Sequence, residues 1–239
     1  MEKASYDNIA AFYDSFTKEF DYSDYLRKCL EKLSKKPNGK LALDCGCGTG
    51  NLLEILEENG FDCTGVDISE EMLQKASEKM TLKNTNFVCQ NLSELDLYGA
   101  YDYVFCSLDT INHIVNKREL RSFFKRISNF IEPGGVFIFD IKTPEYIKSG
   151  AKTELFEEED KTLIWEGIFQ KPYISYRLIF FSPKEGKENE CFRKFETIIE
   201  ERCYSREEIL SLMRELSPLK YEKSFLYKKE RTVFIYRKK

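Results

Sequence analysis

The run Leu41-Ala42-Leu43-Asp44-Cys45-Gly46-Cys47-Gly48-Thr49-Gly50-Asn51 constrains this chain more than any other stretch. It reads as an apolar strand, a turn with glycine at 46, 48 and 50, and the opening of a helix through Leu52, Leu53, Ile55 and Leu56. Such a turn lets a ligand lie directly on backbone amides, at the positive end of the helix that follows. One acid, Asp44, stands at the strand's carboxyl end.

The segments that follow repeat the strand–helix alternation. A second strand spans 61–67, and Ser69 can cap the next helix, which buries Met72, Leu73 and Ala76. A third strand, 87–89, runs into Gln90-Asn91-Leu92, and a fourth, 103–107, runs into the loop 108–113. Leu120, Phe123, Phe124, Ile127, Phe130 and Ile131 then recur at helical spacing, and Glu132-Pro133-Gly134-Gly135 turns the chain into a fifth strand over 136–141. This order predicts an α/β fold: a doubly wound, mostly parallel, Rossmann-like sheet whose ligands bind at the strands' carboxyl ends.

Upstream, Leu26, Cys29, Leu30 and Leu33 mark a helix near 23–36. The aromatics Tyr6, Phe12, Tyr13, Phe16, Phe20 and Tyr22 either anchor the N-terminal segment to the core or form a lid over the glycine turn. Past 142 the pattern breaks. Residues 143–204 lack helical periodicity and hold three strand-like runs, 162–170, 174–181 and 191–201, with turns at Lys171-Pro172 and 183–186. An antiparallel β insertion is expected there. A capping box, Ser205-Arg206-Glu207-Glu208, opens a helix carrying Ile209, Leu212, Met213 and Leu216, and runs near 221–227 and 232–237 predict a C-terminal antiparallel hairpin. Residues 1–142 and 205–239 are thus expected to form one unit and 143–204 an inserted region.

Charge and cysteine usage narrow the partners. The 37 basic residues against 41 acidic ones give a net charge of −4, which argues against a phosphate backbone as the main partner. Lys228, Lys229, Arg231, Arg237, Lys238 and Lys239 read as a solvated hairpin and tail. The 8 cysteines include no C-x-x-C pair, and His113 is the sole histidine, so zinc-ligand spacing is lacking and no metal is expected. Thiols within apolar strands act as small hydrophobes. With no signal-peptide pattern and no apolar run of membrane length, a reducing cytoplasmic setting is expected.

The turn itself discriminates among ligands. The dinucleotide fingerprint begun at Gly46 requires glycine at 51, where this chain has Asn51. Asp44, two residues before the first glycine, also argues against a nicotinamide-dependent oxidoreductase. Asp67 ends the second strand 21 residues after Gly46, close to the ~20-residue spacing of a ribose-binding carboxylate. Its competing role is to cap the following helix, a task that Ser69 could take over.

Leu43 to Asn51, followed by Val66-Asp67-Ile68-Ser69 and Met72-Leu73, resembles the class I S-adenosylmethionine-dependent methyltransferases. Glu132-Pro133-Gly134-Gly135, and Tyr13-Asp14 near the start, resemble the same family. The resemblance covers most of 6–142 and, more loosely, the C-terminal helix and hairpin. It implies that backbone at Gly46 and Gly48, with Asn51 nearby, meets the methionine moiety while Asp44 holds its ammonium. Asp67 would bind the ribose, and Ile68 and Met72 would sandwich the adenine. Gln90, Asn91 and Leu92 occupy the adenine-edge position, where Asn91 replaces the acid of many members. Ser107 and its neighbours would lie beneath the sulfonium, and Tyr13 would close over the cofactor.

Methyl transfer from a sulfonium needs alignment more than activation, and a base only for a protonated acceptor. His113 and Asp109, in the loop after the fourth strand, are weak catalytic candidates: His113 as that base or simply as a hydrogen-bonded histidine beside a helix, Asp109 as a partner for a cationic acceptor or simply as a turn cap. Trp165 is the best candidate for an acceptor-pocket wall. The expected function is S-adenosylmethionine-dependent methylation of a small molecule; a non-catalytic S-adenosylmethionine-binding protein and, less favoured, a nicotinamide oxidoreductase are the alternatives.

Overall fold

The computed structural model describes residue 13 and residues 20–83, 85–158, 161–183, 191–216 and 218–239. Helix α1 (Tyr22–Glu31) precedes β1 (Leu41–Cys45), α2 (Asn51–Glu58), β2 (Asp62–Asp67), α3 (Glu70–Glu78), β3 (Asn86–Cys89) and β4 (Tyr101–Cys106). The short α4 (Thr110–His113), α5 (Lys117–Ile127), β5 (Ile131–Lys142) and α6 (Pro144–Ser149) follow. Then come β6 (Thr153–Glu158), β7 (Lys161–Gln170), β8 (Tyr173–Pro183), β9 (Phe192–Arg202), α7 (Arg206–Leu216), β10 (Lys220–Tyr227) and β11 (Arg231–Arg237).

Strands β1 to β5 pair in parallel and the β10–β11 hairpin joins antiparallel at β5, giving one 7-stranded sheet in the order β10-β11-β5-β4-β1-β2-β3. Its central strands are covered on both faces, which is why they read as nearly unbroken apolar runs. Leu43, Val104 and Phe137 pack against Phe123 and Phe124 of α5 on one face; Ala42, Phe105 and Ile138 pack against Leu53 and Leu56 of α2 on the other. Each fully buried side chain of this size contributes about 1.5–3 kcal/mol. Polar residues inside such runs, Asp44, Asp140 and Lys142, therefore stand out as buried without an apolar reason.

The inserted residues form a separate 4-stranded antiparallel sheet, β6-β7-β8-β9. Leu163, Ile174, Tyr176, Leu178, Phe180 and Ile199 cluster on its inner side with Ile147 of α6 and Met72 of α3. Asn112 Nδ2 of α4 donates to the Arg202 carbonyl of β9 at 2.9 Å. The sheet is thereby fastened over the carboxyl ends of the parallel strands.

Four expectations need correction here. The insertion has four strands, not three, and a helix: α6 is short, started by Pro144 and capped by Thr143 Oγ1, which accepts from Tyr146 N at 3.3 Å. β6 was hidden by its acid-rich sequence, which lacks period-2 alternation. Strand β5 begins at Ile131, and Glu132–Gly135 is an excursion between Ile131, paired with Tyr101, and Val136, paired with Tyr103. The C-terminal cations are not merely solvated: Arg231 is buried, Arg237 pairs with Glu222, and Lys238 Nζ donates to the Ser128 and Ile131 carbonyls. α1 also ends at Glu31, earlier than the sequence indicates, and Tyr25 joins its buried face.

Tyr6, Phe12, Phe16 and most of the 183–186 turn lie outside the described residues. Ser205 Oγ does cap α7, accepting from Glu208 N at 3.1 Å. Cys29, Cys45, Cys47, Cys63 and Cys106 are unpaired and buried. Among the described residues no helix is long and apolar enough to cross a membrane.

Candidate active site

The glycine turn sits at the carboxyl end of β1 and is pinned to β2, where the amides of Gly46 and Cys47 donate to the Val66 carbonyl at 2.7 and 3.0 Å. Gly46 has φ +77°, and a Cβ there would stand 2.5 Å from the side chain of Thr110, so only glycine fits. Gly48 differs. With φ +53°, its missing side chain would meet only the Tyr13 ring among the described residues, at 3.8 Å, so its backbone faces a crevice.

Two carboxylates serve this turn. Asp67 accepts from the Gly48 amide at 2.9 Å and from the Ser69 amide at 3.0 Å, while Ser69 Oγ caps α3 through Met72 N at 3.1 Å. Burial pushes the Asp67 carboxyl up, and the three backbone amides of Ser69, Gly48 and Ile68 pull it back. Asp44 is 3% exposed, and no hydrogen-bond donor among the described residues reaches its carboxyl. Burial, and then the nearby charge of Asp67, raise it to about 8. Tyr13, Tyr22, Asp44, Gly48, Asn51, Ser107 and Leu108 line the crevice, which is narrowed to about 30 Å³. Wider depressions lie elsewhere, about 570 Å³ beside Arg118 and Arg202 and about 960 Å³ at the opposite end of the strands; neither touches the turn.

The floor of the crevice is the β4–α4 loop. Leu108 and Asp109 both adopt left-handed backbone, φ 53° and 75°, which costs a non-glycine residue ~1–3 kcal/mol unless its surroundings enforce it. They do. The Leu108 amide donates to Asp140 Oδ2 at 3.1 Å, and the Asp109 carboxylate pairs with Arg231 and, at 2.9 Å, with Lys142 Nζ. Asp140, fully buried, also holds the Tyr25 hydroxyl at 2.7 Å and Arg231 at 3.1 Å. Burial opposes the charge on Asp109, but Arg231 and Lys142 outweigh it and hold the carboxyl well below its ordinary range. Burial likewise opposes the Lys142 charge, and Asp109 and Glu201 hold its ammonium well above the usual value.

Residues 42–135 match the family described as a methyltransferase domain. A putative methyltransferase of Geobacillus sp. (strain WCH70) is 30% identical over 185 residues, which span 74% of this chain and 75% of that one. The crystal structure of an S-adenosylmethionine-dependent methyltransferase from Clostridium acetobutylicum ATCC 824 superposes with a TM-score of 0.81 at 28% identity, over 98% of each chain. This chain belongs to the class I S-adenosylmethionine-dependent methyltransferases. An amino pentose methyltransferase from Micromonospora echinaspora, 20% identical over 95% of each chain, shares the fold with a TM-score of 0.72.

The methyltransferase's donor is S-adenosylmethionine, and the crevice suits it: bare backbone at Gly48, a carboxyl at Asp44 that no donor among the described residues reaches, and a second carboxylate at Asp67. Other expected contacts have prior engagements. Asn51 Nδ2 lies 3.4 Å from the Tyr22 hydroxyl and its Oδ1 accepts from Lys79 Nζ at 2.5 Å. Gln90 spends its carboxamide on the backbone of Asp96, and Leu92 is buried in the main core. Asn91 Oδ1 accepts from Ser93 N at 2.9 Å, leaving its NH2 group as the part that can meet a ligand. Ile68 is half-buried, whereas Met72 is packed into the insertion's core cluster. Trp165 packs edge-on against Tyr176, ring centres 5.1 Å apart, on the inner side of the inserted sheet.

His113 closes α4 with its Nε2 3.7 Å from Glu201 Oε1; burial lowers its pKa despite the opposing pull of Glu201 and Asp109. Asp109, His113 and Glu201 bring three ligand-type atoms within 4.8 Å, but Lys142 Nζ, 2.9 Å from Asp109 and 2.7 Å from Glu201, takes the position of a cation. Sequence reasoning missed Asp140, Lys142, Glu201, Arg231 and Tyr25. A signal existed for the first two, as polar residues two apart at the carboxyl end of an otherwise apolar strand.

Proposed function

We propose that the methyltransferase moves the methyl group of S-adenosylmethionine to a small-molecule acceptor held between the glycine turn and the inner side of the inserted sheet. Residues 1–142 and 205–239 would form the donor-binding unit and 143–204 the acceptor side. The observation that carries the donor half is Asp44, a buried carboxyl with no hydrogen-bond donor among the described residues, opening beside the bare Gly48 backbone. The sulfonium, when bound, supplies an already activated methyl group. The chain's task is alignment and exclusion of water.

Asp44 receives the donor's ammonium. Asp67 has lone pairs left after Gly48 and Ser69 for the ribose hydroxyls, since an ionised carboxylate offers about four acceptor sites. Asn91 donates from its NH2 group to the adenine edge, and Ile68 covers one ring face. Ser107 and Leu108 form the floor and Tyr13 shuts the crevice from above. His113 takes a proton from an acceptor that arrives protonated; Asp109, committed to Arg231 and Lys142, does not. Trp165 walls the acceptor side. The solved sugar N-methyltransferase from Streptoalloteichus sp. ATCC 53650 and the amino pentose enzyme, which share this fold, support a small-molecule acceptor. A thiol-rich core supports a reducing cytoplasmic setting.

The reading is tested by incubating the enzyme with methyl-labelled S-adenosylmethionine and a pool of small amines, phenols and alcohols, following S-adenosylhomocysteine. Labelled acceptor is expected. Tight binding of S-adenosylhomocysteine with no turnover across the pool would favour a cofactor-binding protein, and calorimetric binding of NAD alone would favour an oxidoreductase. Asp67→Ala is expected to raise the Kd for S-adenosylhomocysteine at least tenfold, since charge-assisted hydrogen bonds contribute ~1.5–3 kcal/mol. An unchanged Kd in the folded variant would remove Asp67 from the site.

A further inference from the structure

Five buried side chains of alternating sign form one line from the inserted sheet to the N-terminal helix. Glu201 of β9 holds Lys142 of β5 at 2.7 and 3.0 Å, and Lys142 reaches Asp109 at 2.9 Å. Asp109 pairs with Arg231 of β11, Arg231 meets Asp140 of β5 at 3.1 Å, and Asp140 takes the hydroxyl of Tyr25 in α1 at 2.7 Å. Side-chain exposure is 4% at Glu201, 10% at Lys142, 20% at Asp109, 7% at Arg231 and 0% at Asp140.

Burying so many charges gains little stability over apolar packing, because desolvation offsets the Coulomb attraction. What the line does provide is fixed geometry at its middle member. Asp109 stands in left-handed backbone next to Leu108, at the crevice floor, and its two carboxylate oxygens are held from opposite sides by Arg231 and Lys142. Lys142 is itself shared with Glu201, so the pull on Asp109 depends on a residue of the other sheet. Glu201 is not the only fastening: Asn112 ties α4 to β9 through the Arg202 carbonyl and to β5 through the Lys142 amide, each at 2.9 Å, without charge.

We propose that Lys142 is a positioning residue through which Glu201 of the inserted sheet sets the Leu108–Asp109 turn, so that the seating of the acceptor-side sheet and the affinity of the donor crevice are coupled. This rests on the donor-site reading given above. Coupling of this kind is reciprocal: if the sheet biases the turn, a ligand on the turn biases the sheet. The physical carrier is the line of ion pairs itself rather than mere proximity.

The test is calorimetric titration of the full chain with S-adenosylhomocysteine, with melting temperatures alongside. Glu201→Gln, which keeps the shape and deletes the charge, is expected to weaken binding 5- to 20-fold at 25 °C. Lys142→Met should weaken it at least as much, and the double variant no more than Lys142→Met alone. Lys142→Arg, which restores a cation between the two carboxylates, should remain within about threefold of the wild type. Glu196→Gln, on the solvent side of the same sheet, should leave the Kd within twofold.

A folded Glu201→Gln protein with wild-type affinity would overturn the proposal. Hydrogen exchange on the wild type gives a reading that needs no variant: bound S-adenosylhomocysteine should slow exchange at 200–202 as well as at 107–110, and unchanged exchange at 200–202 would also overturn it. Asp67→Ala separates the two claims. If it leaves the Kd unchanged, the donor-site reading has failed. If it weakens binding while Glu201→Gln does not, only the coupling has.

Discussion

Replacing Arg231 by methionine is expected to destabilise the methyltransferase by about 3–5 kcal/mol, the cost of breaking a buried ion pair from one side. Arg231 is nearly fully buried, pairs with Asp109 and with Asp140, and lies over the Phe20 ring at 5.6 Å. Without it, among the described residues Asp140 retains only Tyr25 and the Leu108 amide, and Asp109 only Lys142. At this chain length the melting temperature should fall by roughly 10 °C or more. Arg231→Lys should recover only part of the loss, because a single ammonium lacks the guanidinium fork that spans two carboxylates. Thermal and urea melts decide the matter: a shift under about 2 °C for Arg231→Met would show that the ion-pair line carries no structural weight.

The proposed donor half of the site was legible because its residues are close in sequence. A glycine turn, the acid two residues before it and the acid ending the next strand all fall within Asp44–Asp67, and strand–helix periodicity fixes where that segment stands in the sheet. The roles within it were less legible. Ser69 caps α3 as expected, yet Asp67 is not left free by this; it braces the Gly48 amide and so shapes the turn it serves. Met72 and Leu92 were assigned to the adenine by the resemblance; the structure packs both apolar side chains into core clusters, a placement that local sequence does not encode.

The ion-pair line was illegible for the opposite reason. Glu201, Lys142, Asp109, Arg231 and Asp140 come from four segments that meet only after the sheet has formed, so their pairing could not be read from any one of them. Arg231 was grouped with solvated lysines because it opens a hairpin strand; pairing β11 to β5 brings it opposite Lys142 and into the interior. Asp109 had been open to two readings, acceptor binding or turn capping. The structure adds a third role, a clamp on a left-handed turn, through its pairing with two cations.

Asp44 gives the clearest dependence on pH. Its carboxyl is raised to about 8 in the folded chain by burial and by Asp67, against an ordinary value near 3.8. The folded state therefore binds a proton that the unfolded chain has already released between these values. The stability from this group is fully present below about pH 4, declines as pH rises, and is lost once pH passes about 8. Asp44→Asn, which cannot ionise, should match the wild type near pH 4 and exceed it increasingly up to pH 8, by ~5–15 °C in melting temperature for a difference of several kcal/mol. The same substitution should weaken the donor, whose ammonium would lose its carboxylate. In the wild type, S-adenosylmethionine binding between pH 5.5 and 7 should release close to one proton and tighten with pH, measurable as a buffer-dependent calorimetric enthalpy; in Asp44→Asn both effects should vanish. A melting-temperature difference that does not vary with pH would mean that Asp44 is already ionised in the free protein, and that the crevice does not hold a neutral acid waiting for a cation.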